Sequence, residues 1–527
     1  MLDLLIKGGM VIDGSANPGF YAAVGVSGDT VSIHRGDVSE LEKKARKVID
    51  AKGRVVTPGF IDVHAHSALI VLSDPKHYAK VHQGITTELY GIDGNSYAPF
   101  RKQQDLDWFI TMNSGLEGAP DIKADWSTVT EYLNAYDRKI AVNMAYVVGN
   151  SPIRINAMGW DDRKPTKKEM ADQKAILREA MEEGAVGMST GLDYPPGSYA
   201  DTDELVELSK EGARLGGIYH THVRYLLGDR YFDPFKEALE IGHRSGIPIH
   251  ITHLLPASHY SGGSRALLRM VYEERDKGLD VTFDNFPYAY AGTRLTQFLP
   301  HWSQAGGPPK ILERLKSPET RKRIHAEMAT LWAPWEGTLM TYFDKPHNKK
   351  FEGKSVAEAA EILKKPPAEA VCDLLLDENL RISWHALSVD PLMMGDFVAD
   401  PLQMVGSDAL LIGDYPPELA YGTFPYILGK YVRNEKLLSL PEAIRKMTSY
   451  PAQRLGIPDR GLLHDGMKAD IVVFDADTIQ AHTTRLKRKE YSTGIDYVIV
   501  NGTIVVDHGK HTNALPGRAL RRGKAKD

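Results

Sequence analysis

Residues Pro58–Ser67 read PGFIDVHAHS, and the fold of the whole chain turns on how this run is read. His64 and His66 stand two apart on a strand, so both imidazoles project from one face. Two histidines on one strand face suit a divalent metal far better than an apolar core. At the carboxyl end of a barrel strand that face is the mouth, where catalytic groups sit.

Seven further short apolar runs follow at similar spacing: GITTELYG, KIAVNMAYVVG, GAVGMST, GGIYHTHV, IPIHITHL, LDVTFDNFPY and LQMVGSDALL. With the first run they make eight strands separated by stretches of helix length, the pattern of an α/β (β/α)8 TIM-type barrel. After Tyr288 the regular spacing stops for roughly a hundred residues, well beyond ordinary loop length. That stretch, about 290–400 and including KSVAEAAEILKK, is expected to be an inserted helical subdomain capping the catalytic face before the last strand. The two ends are rich in alternating β-type runs such as DLLIKGGMVIDG and IDYVIVNGTIVVDHGK. They predict a small β-sandwich domain built from 1–57 and 456–527, with the catalytic barrel over 58–455.

The bulk numbers are those of a soluble globular protein that buries a large core. The chain has 527 residues, 42% hydrophobic and 25% charged, with a net charge of -5. Nothing in this balance points to nucleic acid or a membrane surface as partner. The basic end RALRRGKAKD is expected to be a solvated tail. No apolar run is long enough to span a bilayer. The start MLDLLIKGGMVIDG reads as strand and turn rather than signal peptide. The one cysteine, Cys372, excludes an intrachain disulfide, fits a cytoplasmic location, and lies in a helical apolar pattern as a core thiol.

More histidines end later strands. In GGIYHTHVR, His220 and His222 share a face, with His222 nearer the mouth. In IPIHITHLL, His250 and His253 point to opposite sides, and His253 is nearer the strand end. His222 and His253 are therefore the candidate ligands, and His220 and His250 the packed ones. MVGSDALL puts Asp408 at the end of the last strand, where a carboxylate can touch a metal and also move a proton. Its plain alternative is a helix N-cap.

These motifs together resemble the N-acyl-D-amino-acid deacylase (D-aminoacylase) branch of the amidohydrolase superfamily. The resemblance spans nearly the whole chain through PGFIDVHAHS, GITTELYGIDGNSYAP, GMSTGLDYPPGSYA, YHTHVR, ITHL, DNFPY, VGSDALL, YGTFPYILGKYVR and ADIVVFD. It implies a zinc site of one or two ions in the barrel mouth. His64, His66 and Asp408 would hold one position, and His222 and His253 the other. In that branch a GNCG motif supplies a cysteinate joining both positions, and here GNCG falls on Gly91-Ile92-Asp93-Gly94. Asp93 thus stands where the thiolate is expected. A carboxylate can also bridge, but it is a harder ligand, so Mn2+, Co2+ or Fe2+ become admissible beside Zn2+. Alternatively Asp93 caps the following turn and one metal is lost.

The resemblance further implies that Asp408 acts as general acid and base and that Tyr288 steadies substrate or oxyanion. The branch's carboxylate-binding arginine falls on Leu419, beside Glu418, and leucine cannot supply a bidentate clamp. Arg154 and Arg224 match family positions and either bind substrate or tie loops. Asn150 stands where the branch has histidine, and Asp193 where an apolar residue is common. The expected partner is a small-molecule amide: a neutral or basic amide, a carbamate or a cyclic amide, with a homo-oligomer also open. A hydantoinase-type cyclic amidase would need a lysine in GAVGMST, which has none. A non-catalytic barrel scaffold would be expected to have lost the metal ligands.

Overall fold

The computed structural model describes residues 1–225, 232–255, 263–330, 335–485 and 487–522. Each of the eight strand-like runs contains a strand: β1 Phe60–Asp62, β2 Ile85–Tyr90, β3 Asn143–Tyr146, β4 Gly187–Gly191, β5 Ile218–His222, β6 Ile249–Ile251, β7 Val281–Asn285 and β8 Gln403–Val405. All eight are buried along their length. Such strands need apolar or hydrogen-bonded side chains on both faces, which is why they read as near-continuous apolar runs.

Neighbours in sequence are neighbours in space. β2 pairs in parallel with β1 and β3, and the Val148–Gly149 extension beyond β3 pairs in parallel with β4. Parallel pairing then runs from β4 to β8 without a break. The last strand returns to the first: the Val63 N–H donates to the Val405 carbonyl at 3.5 Å, and Ala65–His66 pairs in parallel with Ala409–Leu410. Helices fill the connections, among them Lys167–Glu182, whose Thr166 and Glu169 close a reciprocal capping box.

Two sheets drawn from both chain ends form the small β unit. One orders Thr30–His34, Ala23–Ser27, Leu4–Lys7 and Lys47–Asp50; the other joins Ile471–Phe474, Ile495–Val500 and Thr503–Asp507 to Val55–Pro58 and Met10–Val11. Leu4, Ile6, Val24, Ile471, Val473 and Ile499 share its core. Val55–Pro58 runs from that sheet directly into β1, so the strand that leads to His64 and His66 leaves a fixed base.

The insertion differs from the expected helical subdomain. It contains helices, but also an antiparallel sheet in which Ile382–Leu387 lies between Tyr290–Arg294 and Leu339–Phe343. A side chain at Gly292 would sit 2.0 Å from the Trp384 carbonyl, so the strand YAGTR pairs closely only because that residue is glycine. The insertion has its own core, in which Cys372 is buried among Ile311, Phe343 and Leu375. Burial pushes the Cys372 thiol up to about 12, which keeps it protonated and inert.

The basic end is not wholly solvated. The backbone N–H groups of Gly517, Leu520 and Arg522 donate to the Ile140, Met144 and Gly184 carbonyls, at 2.8, 2.7 and 3.2 Å. These carbonyls lie at the entry ends of β3 and β4, where groups left unpaired by the strands recruit the passing chain. No helix among the described residues is long and apolar enough to cross a membrane.

Candidate metal centre

The exit ends of β1, β2, β5, β6 and β8 bring His64, His66, Asp93, His222, His253 and Asp408 together, and all six are buried. Asp93 is the hub. Its Oδ2 lies 3.4 Å from His64 Nε2, 3.5 Å from His66 Nε2, 3.7 Å from His222 Nδ1 and 4.0 Å from His253 Nε2. Asp408 Oδ1 stands 3.4 Å from His64 Nε2 and 3.2 Å from His66 Nε2. One carboxylate oxygen therefore faces both histidine pairs.

The backbone is bent to achieve this. Asp93, His253 and Asp408 have φ of 54°, 32° and 49°, a left-handed region that Asp and His tolerate better than most residues. Such strain persists where the surroundings over-determine it, typically at functional sites.

Electrostatics hold the cluster together. Burial by itself would raise the Asp93 and Asp408 carboxyls, but the surrounding imidazoles hold both well below the usual carboxylate range. Burial would likewise lower His66 and His222. Asp408 and Asp93 around His66, and Asp193 and Asp93 around His222, instead raise each to about 9. His253 moves the other way, to about 4, through burial and the His222 charge.

The same set fits a divalent cation. His64 Nε2 is buried without a hydrogen-bond partner. The donor atoms of His64, His66 and Asp408 lie within 4.8 Å of one another, as do those of His64, Asp93 and His253. Mixed imidazole and carboxylate donors at that spacing suit Zn2+ and its first-row neighbours.

Groups behind the cluster orient its side chains, several of them on elements without a ligand-like motif of their own. Asp284 Oδ2 lies 3.3 Å from His64 Nδ1 and 3.0 Å from His250 Nε2, while its Oδ1 accepts the His253 N–H at 2.8 Å. Asp284, at the end of β7, carries in DNFPY the same signal as Asp408, a carboxylate at a strand end. Asp193 Oδ2 lies 3.0 Å from His222 Nε2, which leaves Nδ1 facing the cluster. The Tyr225 hydroxyl is 3.1 Å from His253 Nδ1, and the Tyr194 ring stands 4.8 Å from that of His222. His220 and His250 stack beneath at 4.9 Å. His220 Nε2 is 3.2 Å from the Val63 carbonyl and His250 Nδ1 is 2.9 Å from the Thr282 hydroxyl, the packed role expected of them.

The expected substrate residues are less uniform. Arg154 is fully buried and bound to Glu204 and the Arg163 carbonyl. Arg224 spends its guanidinium on Glu237 and the Ser198 and Ala200 carbonyls. Both guanidiniums thus connect separate loops. Asp193 serves His222, and Asn150 donates to the Gly197 carbonyl at 3.0 Å, against the Asp93 turn. Leu419 packs into the core at the start of the helix Leu419–Tyr426. The Tyr288 hydroxyl faces Thr483 at 3.4 Å and its ring lies 4.6 Å from Tyr426.

Comparison with known proteins places this geometry. An amidohydrolase family model matches residues 47–506. An N-acyl-D-glutamate deacylase of Alcaligenes xylosoxydans xylosoxydans is 34% identical over 99% of this chain and 97% of its own. A D-aminoacylase of the same organism is 32% identical over 99% and 98%. The crystal structure of N-acyl-D-glutamate deacylase from Bordetella bronchiseptica, complexed with zinc and a phosphonate inhibitor, superposes with a TM-score of 0.82 at 30% identity, covering 99% of both chains. The L-hydantoinase of Arthrobacter aurescens shares the fold at a TM-score of 0.58 and 15% identity. With its buried histidine and carboxylate cluster, the chain belongs to the amidohydrolase family, as a metal-dependent hydrolase of amide C–N bonds related to the N-acyl-D-amino-acid deacylases.

Proposed function

We propose that the protein hydrolyses an N-acyl amino acid or a related amide in the mouth of a (β/α)8 barrel, the reading that the closed order of its eight parallel strands supports. The catalytic barrel spans 58–455, the small β domain 1–57 and 456–527. His64, His66 and Asp408 would hold one metal ion, and His222 and His253 a second, with Asp93 between them. The observation that carries this reading is the single Asp93 oxygen that faces four imidazoles at 3.4 to 4.0 Å. Zinc is the ion of the Bordetella relative; the carboxylate at Asp93 widens the choice to Mn2+, Co2+ or Fe2+. A divalent ion held there supplies an acidified water and a polarised scissile carbonyl.

The protein's own groups handle the proton. Asp408 is ionised, and its Oδ1 sits between the two β1 histidines, positioned to accept a proton from the attacking water and return it to the departing amine. Asp284 and Asp193 fix the ring orientations of His64 and His222. Asp408→Asn should keep its metal and lose at least about 100-fold in kcat, the usual contribution of general acid–base catalysis. Wild-type turnover in that variant would rule out Asp408 as the base. A cyclic amidase of the hydantoinase type is disfavoured because β4, Gly187–Gly191, contains no lysine to be carboxylated.

A further inference from the structure

Arg294 ends the insertion strand Tyr290–Arg294, and its side chain is 1% exposed. Its guanidinium bonds to the Asn113 side chain and the Met112 carbonyl, both neutral acceptors. Among the described residues no carboxylate pairs with it, and Nη2 has no partner at all. Burial lowers the group only to about 10, so it stays cationic at neutral pH. A buried cation left to neutral acceptors is costly, and the cost falls when an anion is brought to it.

Its position gives that anion an identity. The Arg294 guanidinium lies 4.8 Å from the centre of the Tyr194 ring, and the Tyr194 ring lies 4.8 Å from the His222 ring. The cation is thus one aromatic ring from the metal cluster. The Tyr97 hydroxyl, which feels the Arg294 charge, is also buried and unpartnered. Both atoms of the Asn95 amide, in the turn that carries Asp93, are buried and unpartnered as well. A guanidinium and a phenol thus offer neighbouring donors, and a carboxylate with two oxygens satisfies such a pair.

We propose that Arg294 reads a carboxylate on the substrate, next to the scissile amide, in place of the clamp lost at Leu419. The proposal rests on the amide-hydrolase reading above and favours an acidic substrate over the neutral or basic amides expected from Leu419. The insertion, and not the strand-end loop before Tyr421, then supplies the specificity residue. Asn113 and Met112, in the helix Gln103–Glu117, keep the guanidinium in place while Nη2 faces the ligand.

The test compares equilibrium binding of three probes to metal-loaded protein carrying Asp408→Asn. They are racemic N-acetylleucine, its carboxamide, and N-succinyl-leucinamide. With Arg294 present, one of the two acids should bind about 30-fold more tightly than the neutral carboxamide, the value of a charge-assisted hydrogen bond. Preference for N-acetylleucine puts the carboxylate on the amine side, and preference for the succinyl probe puts it on the acyl side. Arg294→Met should bring all three within about threefold, and Arg294→Lys should restore part of the preference as a point charge. Equal affinities in the presence of Arg294, or a preference that survives Arg294→Met, overturn the proposal. Should Arg294→Met not fold, the three-probe comparison and Arg294→Lys still decide. Turnover by the otherwise unmutated enzyme tests the hydrolase reading separately, because the binding preference needs no chemistry.

Discussion

One oxygen of Asp93 faces four imidazoles, and the proposed metal site turns on it. A carboxylate there keeps the negative charge that a thiolate would bring but presents a harder donor. Asp93→Cys should therefore raise retention of Zn2+ relative to Mn2+ and give the cobalt-loaded variant an intense sulfur-to-cobalt absorption. An unchanged metal preference and no such band would remove Asp93 from the ligand set. The histidines make a second residue-scale prediction. His66 and His222 are raised to about 9 in the metal-free protein, and both must lose their protons to bind an ion. Zinc titration of chelator-treated protein at pH 7.5 should release protons into a weakly buffered solution, and affinity should rise with pH up to about 9. Proton release of zero would mean that these rings are not ligands.

At the scale of elements, the turn after β2 works because its neighbours have no side chains. A Cβ on Gly191 would meet the Asp93 carbonyl at 2.1 Å, and one on Gly149 would meet the Gly94 carbonyl at 2.3 Å. Gly94 itself, at φ 67°, has Asn150 Oδ1 within 2.6 Å of a would-be Cβ. Gly94→Ala should cost about 1–3 kcal/mol from strain and crowding and displace Asp93. Denaturant unfolding together with metal content reads both effects, and normal values in each would show the turn to be adaptable. A second element-scale device ties the first strand to the last. Asp62 Oδ1 accepts the His64 and Ser407 N–H groups at 3.1 and 2.9 Å, and Asp62 Oδ2 pairs with Lys80 at 2.7 Å. Lys80 also reaches the Ser407 hydroxyl at 2.8 Å and Glu88 at 2.8 Å. Lys80→Met takes the cation from buried Asp62, while Glu88 keeps His77 at 2.6 Å, and should cost about 3–5 kcal/mol, the scale of a broken buried pair. A denaturation midpoint equal to wild type would contradict that assignment.

For the whole molecule, metal and pH are linked. A histidine whose folded value is raised from 6.5 to about 9 contributes stability that is fully present below 6.5 and is lost as pH rises through 9. His253, depressed to about 4, weighs against folding only below 6.5. The metal-free protein should therefore lose melting temperature between pH 6.5 and 9, while the loaded protein, whose ions replace those protons, should not. Thermal scans with and without chelator measure the gap; a gap independent of pH would disconnect the histidines from metal binding.

The sequence by itself determined the eight strands, the six clustered residues and the packed roles of His220, His250 and Cys372. Those readings depend on local periodicity: a strand alternates every two residues, so HAH and YHTHV declare their faces without knowledge of any partner. Only the tertiary structure decided what stands behind and around them. His64 meets Asp284 across 220 positions, and Arg294 meets Asn113 across 181. Arg154 and Arg224 proved to be engaged by Glu204 and Glu237, 50 and 13 positions away. No pattern in one stretch of chain records such pairings, because they arise when strand ends and the insertion converge on one face. The clustered residues were thus written locally, while their orientation and the placement of the Arg294 guanidinium one ring from the cluster came from packing.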